Sequence, residues 1–383
     1  MYYWLRFFVR QGLKIYCGRI DVNDKSILKW KGPLILASNH PNSFFDAIIL
    51  ASLMDQPVHF LALGELTDRF LLQKLINVLH IIPVYQLRDK AGNQERNDKS
   101  FADCVDILLN DGIVLIFSEG SCENNWQLRH IKKGTARVTM AALDHTRLEN
   151  RLRILPVGLN YNSYSQAGKT VLIQFGEPIL SKDLPAGKNE SEKIRILNEL
   201  LKEKLSSSVL QTQTRPETAQ ILISNCPPLR AGIINKLQGF LNEPGEQDIF
   251  SELKKPGYFI SGNHSLFQSL VLIVFLALPA ALGWLSHILI YYPVKLSVKG
   301  KTSRSVFFDS VLFTSLFLIY PFYWIGFNLA GYLFFRNGWI QIFLLGMPLL
   351  AWTAVYWKES WQRIRNYFML TVNERSRIAN YFN

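Results

Sequence analysis

In the run Ala37-Ser38-Asn39-His40-Pro41-Asn42-Ser43-Phe44-Phe45-Asp46, a histidine and a carboxylate follow an apolar stretch, with five residues between them. An imidazole beside a carboxylate can take a proton from a hydroxyl. The histidine serves as general base, while the carboxylate selects its tautomer and steadies the imidazolium that forms. The same residues also have a plainer reading: Ser43 ahead of a helix, with Asp46 three places on, is a helix-capping pair that leaves His40 bonded to backbone.

A second polar cluster ends another apolar run, Phe117-Ser118-Glu119-Gly120-Ser121, and is followed by Lys132, Lys133 and Arg137. Lys133 and Arg137 share a helical face, and Lys132 stands beside them. This set suits an anion near a helix N-terminus, although a solvated basic helix has the same pattern. Arg88, after Pro83-Val84-Tyr85, is a further anion candidate because a guanidinium donates two parallel bonds to a phosphate.

For these clusters to meet, the apolar runs before them must be neighbouring strands. Residues 19–185 alternate short apolar runs with helical patterns, which predicts an α/β domain with a mixed sheet flanked by helices. Strands are expected at 34–37, 58–62, 81–84, 113–117, 154–160 and 171–175, and helices at 44–54, 66–79, 98–109 and 135–145. The polar clusters then fall at strand ends, where sites of α/β folds form.

The flanking regions differ in character. Residues 1–18 read as an interfacial amphipathic helix, with Arg6, Arg10 and Lys14 spaced among Tyr2, Tyr3, Trp4, Phe7, Phe8 and Leu13. Docking of that helix on the protein's own core is the alternative. Residues 186–265 read as a helical cap or connector, helical over 190–205 and broken at Pro227-Pro228 and Pro244-Gly245. In 266–383 the runs 266–294, 306–335 and 339–357 are long and apolar enough to enter a bilayer. Lys295, Lys299, Lys301 and Arg304 follow the first run, and the positive-inside bias puts them with the α/β domain on the cytoplasmic side of a membrane. That arrangement requires the first run, interrupted at Pro279 and Gly283, to be a re-entrant hairpin and the later two to be transmembrane helices.

The net charge of +12 implies a basic surface. No zinc-finger, helix-turn-helix or RNA-binding pattern accompanies it, so the expected partners are membrane lipids and phosphorylated substrates, not nucleic acid. The four cysteines lack CxxC spacing, and neither a metal site nor a disulfide framework is expected.

Taken together, these segments resemble the phospholipid/glycerol acyltransferase family, of the lysophosphatidate / glycerol-3-phosphate acyltransferase type. His40 and Asp46 match its first motif, and Arg88 falls at the substrate-binding arginine of the second. Phe117, Glu119 and Gly120 match the third motif, and Leu155-Pro156-Val157 is similar to the fourth. The resemblance implies a membrane-bound O-acyltransferase of phospholipid biosynthesis with a glycerolipid acyltransferase-like core. Such an enzyme moves a fatty acyl group from an acyl-CoA or acyl carrier protein thioester to a hydroxyl of glycerol-3-phosphate or 1-acyl-glycerol-3-phosphate (lysophosphatidic acid), without metal or resident cofactor. It implies His40 and Asp46 as the catalytic pair and Arg88, Glu119, Gly120, Ser121, Lys132 and Arg137 around the acceptor. Backbone N–H groups near Gly120 and Ser121 are the candidate oxyanion donors.

Three departures qualify the match. Five residues separate His40 from Asp46 where four are common, a form similar to the larger yeast-type glycerol-3-phosphate acyltransferase branch. Ser118 replaces the usual proline, and Cys122 stands where many lysophosphatidate enzymes carry an arginine. Another lipid acceptor (a lysophospholipid, an amino-acid lipid or a saccharolipid) therefore stays open, and a non-catalytic membrane scaffold is the more distant reading. Ser261-Gly262-Asn263-His264-Ser265 imitates the first motif, but no acid follows at the right spacing. Asp309 and His287, in or near apolar runs, are expected to be solvated at an interface and to have no role.

Overall fold

A computed structural model of the protein describes residues 2–64, 78–85, 92–184, 189–212, 223, 233–242, 266–302, 306–335 and 338–369. The apolar runs become strands β1 (Cys17–Val22), β2 (Leu34–Ser38), β3 (Val58–Leu63), β4 (Ile81–Val84), β5 (Ile113–Phe117), β6 (Arg153–Tyr161), β7 (Lys169–Phe175) and β8 (Ile179–Leu180). They form one sheet in the order β1-β7-β6-β2-β5-β3-β4, with β8 paired to β6. Every pairing is parallel except those of β6 with β7 and β8. In the register of the central strand, Ser38 faces Phe117 on β5 and Val157 on β6. The segments that leave β2 and β5 therefore emerge side by side, which brings the two polar clusters together.

Alternation along the strands divides the interior. Leu34, Leu36, Ile113, Leu115, Leu155 and Val157 point into one core, and Ile35, Ala37, Val114, Ile116 and Ile154 into the other. The first core is covered by α1 (Tyr2–Tyr16) and α2 (Phe44–Leu53), the second by α3 (Asn93–Leu109) and α4 (Gly134–Leu143), with the short α5 (Thr146–Glu149) following. The six expected strands are present. The edge strand β1 and the two-residue β8 carry too little apolar signal to stand out in the sequence. The helix expected at 66–79 falls mostly outside the described residues. Helix α6 (Glu190–Ser206) buries Leu197, Leu201 and Leu205 in the second core, so it packs directly on the α/β domain. A further helix, α7, spans Ile233–Asn242.

Helix α1 docks on the core with one face and leaves aromatic side chains exposed on another. Leu13 and Tyr16 are buried, while Tyr3, Trp4, Phe7 and Phe8 are exposed. Its arginines do not face outward. Arg6 donates to the carbonyl of Met54 at 2.7 Å, and Arg10 to those of Ser52 and Leu53, so both cations serve the unsatisfied carbonyls at the C-terminus of α2.

The C-terminal region comprises α8 (Leu266–Thr302), α9 (Phe308–Phe335), α10 (Gly338–Leu345) and α11 (Met347–Met369). Two helices, over Leu270–Gly300 and Phe308–Phe335, are long and apolar enough to cross a membrane. The bend lies elsewhere than the sequence indicated. Helix α8 runs unbroken through Pro279 and Pro293, whereas α10 and α11 meet at 56° and form either a broken span or a re-entrant loop. Gly283 is a close-approach site: a Cβ there would lie 2.0 Å from the carbonyl oxygen of Leu350 on α11. The residue read as a helix breaker is thus a helix-packing contact. Val294 and Val298, near the end of α8, pack on the first core, so Lys295 and Lys299 lie beside the α/β domain without a hairpin.

Candidate active site

The loop after β2 is held on both sides before it reaches its histidine. Buried Asn39 extends the β2–β6 pairing with its side chain, donating to Leu159 O at 3.0 Å and accepting from Leu159 N at 2.8 Å. The main-chain N–H of His40 donates to Glu119 Oε2 at 2.8 Å. The imidazole stacks on Phe117, with centroids 3.7 Å apart and planes at 12°, and its Nδ1 lies 2.9 Å from Asp46 Oδ2.

Asp46, on the first turn of α2, is fully buried and takes three partners. Oδ2 also accepts from the N–H of Asn42 at 2.8 Å, and Oδ1 accepts from the hydroxyl of Tyr161 at 2.7 Å. Burial raises its carboxyl above the usual carboxylate range, and bonds from His40, Tyr161 and Asn42 pull the other way. The capping alternative fails on geometry. Ser43 sits at φ 52° and ψ −142° and makes no side-chain cap bond. For a residue other than glycine this is a sparsely populated conformation costing about 1–3 kcal/mol, so the surroundings must impose it. One such restraint is Cys122, whose Sγ accepts from Ser43 N at 2.8 Å. Burial pushes that thiol up to about 12, which makes it a poor nucleophile at neutral pH.

Glu119 is buried and fully engaged: besides His40 it accepts from the backbone N–H of Arg129 at 2.8 Å and from the Arg129 guanidinium at 2.8 Å. The same guanidinium bonds Ser121 through Oγ, at 2.8 Å, and through the carbonyl. Glu119 therefore ties the two loops together through both of its carboxylate oxygens. The N–H of Gly120 is likewise committed, donating to Phe117 O at 3.0 Å, so it is not an oxyanion donor in this geometry. Gly120 has φ +66°, and a Cβ there would stand 2.9 Å from Lys132 Cγ. Lys132 is thus beside the loop, its own N–H donating to Ser118 O at 2.8 Å. Arg137 lies on the first turns of α4. Both side chains are exposed, and neither bonds another described residue. Arg88 and the 261–265 imitation lie outside the described residues.

The family comparison bears on this arrangement directly. Residues 19–160, which carry both loops, match the acyltransferase family model. Among solved structures, the chain is similar to the crystal structure of the 1-acyl-sn-glycerophosphate (LPA) acyltransferase PlsC from Thermotoga maritima, at 15% identity and a TM-score of 0.36, over 53% of this chain and 78% of that chain. No curated protein matches.

Three residues of the candidate site escaped the sequence reading. Tyr161 ends β6 in phase with inward-facing Val157 and Leu159, and that alternation was the available signal. Arg129 had no motif to mark it. Asp309, expected to be solvated, is instead fully buried: it pairs with Lys169 Nζ and accepts from Tyr16 OH at 2.5 Å and Asn42 Nδ2 at 2.7 Å. A lone acid at the head of an apolar run was its signal. His287 is half-buried, with Nε2 3.0 Å from Tyr320 OH, and so it too is bonded within the protein.

Proposed function

We propose that the protein is a membrane-bound O-acyltransferase that moves a fatty acyl group from an acyl-CoA or acyl carrier protein thioester to a hydroxyl of glycerol-3-phosphate or 1-acyl-glycerol-3-phosphate. The observation that carries this reading is the 2.9 Å contact of His40 Nδ1 with a buried, triply bonded Asp46, within residues that match the acyltransferase family model. With Nδ1 facing the carboxylate, Nε2 is the ring atom left to take the acceptor's proton. The acceptor oxygen then attacks the thioester carbonyl, the C–S bond breaks, and the thiolate leaves with the proton returned by the imidazolium. General-base help of this kind is worth about 10²–10⁴ in rate.

Lys132 and Arg137, exposed and without protein partners among the described residues, are the cations offered to an acceptor phosphate, together with Arg88. Arg129 adds a guanidinium at Ser121, next to the position where Cys122 replaces the arginine of many relatives. The basic end of α8 beside the domain supports a cytoplasmic-side active site under the positive-inside bias. The His40–Asp46 spacing and the long apolar C-terminal region favour the larger yeast-type glycerol-3-phosphate acyltransferase branch.

The test is acyl transfer by purified protein in detergent, wild type against His40→Ala, with each acceptor paired with each thioester. His40-dependent product from a phosphorylated glycerol supports the proposal, and none from any pairing with folded protein overturns it. The substitution at Cys122 also favours a second reading, the same chemistry on another lipid acceptor. In that case Arg137→Ala leaves KM unchanged, whereas a phosphate-bearing acceptor binds more weakly.

A further inference from the structure

We propose that Asp309 and Ser310, in the first turn of the apolar helix α9, are positioning residues for the His40–Asp46 pair, so that the membrane region completes the acyl-transfer site. The inference rests on the functional reading above and adds residues and a mechanism to it.

Helix α9 does not simply begin at the membrane. Phe308, Asp309, Ser310, Leu312 and Phe313 are buried, and the three apolar members of this set sit in the first core of the α/β domain. The remainder, 314–335, is roughly 22 residues, or about 33 Å of helix, which still suffices to cross a hydrocarbon layer. The buried turn is therefore free to serve the domain.

What it serves is the strained loop. Asp309 accepts from the side chain of Asn42 at 2.7 Å, while the main-chain N–H of the same Asn42 donates to Asp46 at 2.8 Å. Ser310 Oγ accepts from Phe45 N at 3.0 Å and lies 3.4 Å from Asn42 O. Consecutive residues of α9 thus grip the loop at Asn42 and at Phe45, on either side of Ser43 with its φ of 52°. If that grip is released, Ser43 can relax, and the Asn42 N–H is carried away from Asp46. Among the described residues the side-chain oxygen of Asn42 has no partner, so local satisfaction does not set the orientation of this amide, and the described anchor of its side chain is Asp309. A buried ion pair such as Asp309–Lys169 is weak evidence for a stabilising role, because apolar replacements of both partners are often tolerated. Its placement makes more sense as an acceptor held ready for Asn42, with Lys169 neutralising it and Tyr16 completing its shell.

The experiment uses the full-length protein in detergent, with variants Asn42→Ala, Ser310→Ala, Ser310→Thr and the charge-free pair Asp309→Leu/Lys169→Leu, which avoids stranding Lys169. Exposed Phe322→Leu, on the same helix but away from the buried first turn, is the control. Two readouts are taken: kcat and KM for acyl transfer, and the rate at which Cys122 is alkylated, followed by peptide mass spectrometry. The second readout needs no activity, since Cys122 is bonded to Ser43 N and becomes accessible if the loop slackens. The expected result is a fall in kcat of about tenfold or more, with KM held, for Asn42→Ala, Ser310→Ala and the charge-free pair. Cys122 should be alkylated about tenfold faster in those three, and Ser310→Thr should restore both values. Wild-type alkylation rates in the three variants overturn the inference, as does a kcat loss that Ser310→Thr fails to rescue. Absence of His40-dependent transfer in wild type sinks the functional reading separately, and the alkylation rates then decide whether α9 holds the loop.

Discussion

Tyr161 donates its hydroxyl to Asp46 Oδ1 at 2.7 Å, on the carboxylate oxygen that His40 does not use. The bond favours the ionised carboxylate, so its removal moves the Asp46 carboxyl further up. Tyr161→Phe is expected to lower kcat by about tenfold, with stability reduced by about 1–3 kcal/mol for the acceptor left unsatisfied. The acid limb of the kcat profile should shift to higher pH, and a pH–rate series on both proteins checks it.

Asp46→Asn separates activity from stability. Burial raises the Asp46 carboxyl in the folded protein, so the native state holds this proton more tightly than the unfolded chain does. The group's stabilising contribution is then present at low pH and lost as pH rises through its folded pKa. The amide variant should be at least as stable as wild type near neutral pH, with the advantage vanishing in acid. Its kcat should drop by about 10²–10⁴. Unfolding midpoints from about pH 4 to pH 8, read beside kcat, test both halves.

Arg129→Ala leaves buried Glu119 with only backbone donors, from His40 and from residue 129 itself. Breaking a buried ion pair costs about 3–5 kcal/mol, and the partial exposure of the Arg129 side chain reduces the expected loss to about 1–3 kcal/mol. Denaturant unfolding gives that number. If the guanidinium also meets the acceptor, KM for a phosphorylated acceptor rises while KM for the acyl donor does not.

At Gly120 the backbone has φ +66°, and Lys132 fills the space where a Cβ would go. Gly120→Ala should cost about 1–2 kcal/mol from conformation alone. The lysine stem can swing aside, so the protein should fold. With its ammonium displaced, KM for a phosphorylated acceptor should rise, and a stability measurement paired with acceptor titration reads both effects.

The six central strands, the α/β class and the candidacy of His40 with Asp46 were legible in the sequence, whereas the β2–β5 adjacency that brings the two polar clusters together was not. The legible features follow from short continuous apolar runs and from motifs a few residues long, which local chain geometry carries directly. Tertiary structure alone decided the partners of buried polar groups. Asn42 meets Asp309 across 267 residues, and Tyr161 meets Asp46 across 115. No periodicity encodes such contacts, because they depend on which elements the fold lays against one another. The same reasoning explains the errors. The four-residue spacing of Arg6 and Arg10 did not reveal that they bond the carbonyl end of α2. Pro279 and Gly283 suited a chain break, but an apolar helix packed against α11 runs straight through them. A side chain's chemistry is written in its type, whereas its burial, and with it its partner, is settled only when the chain closes around it.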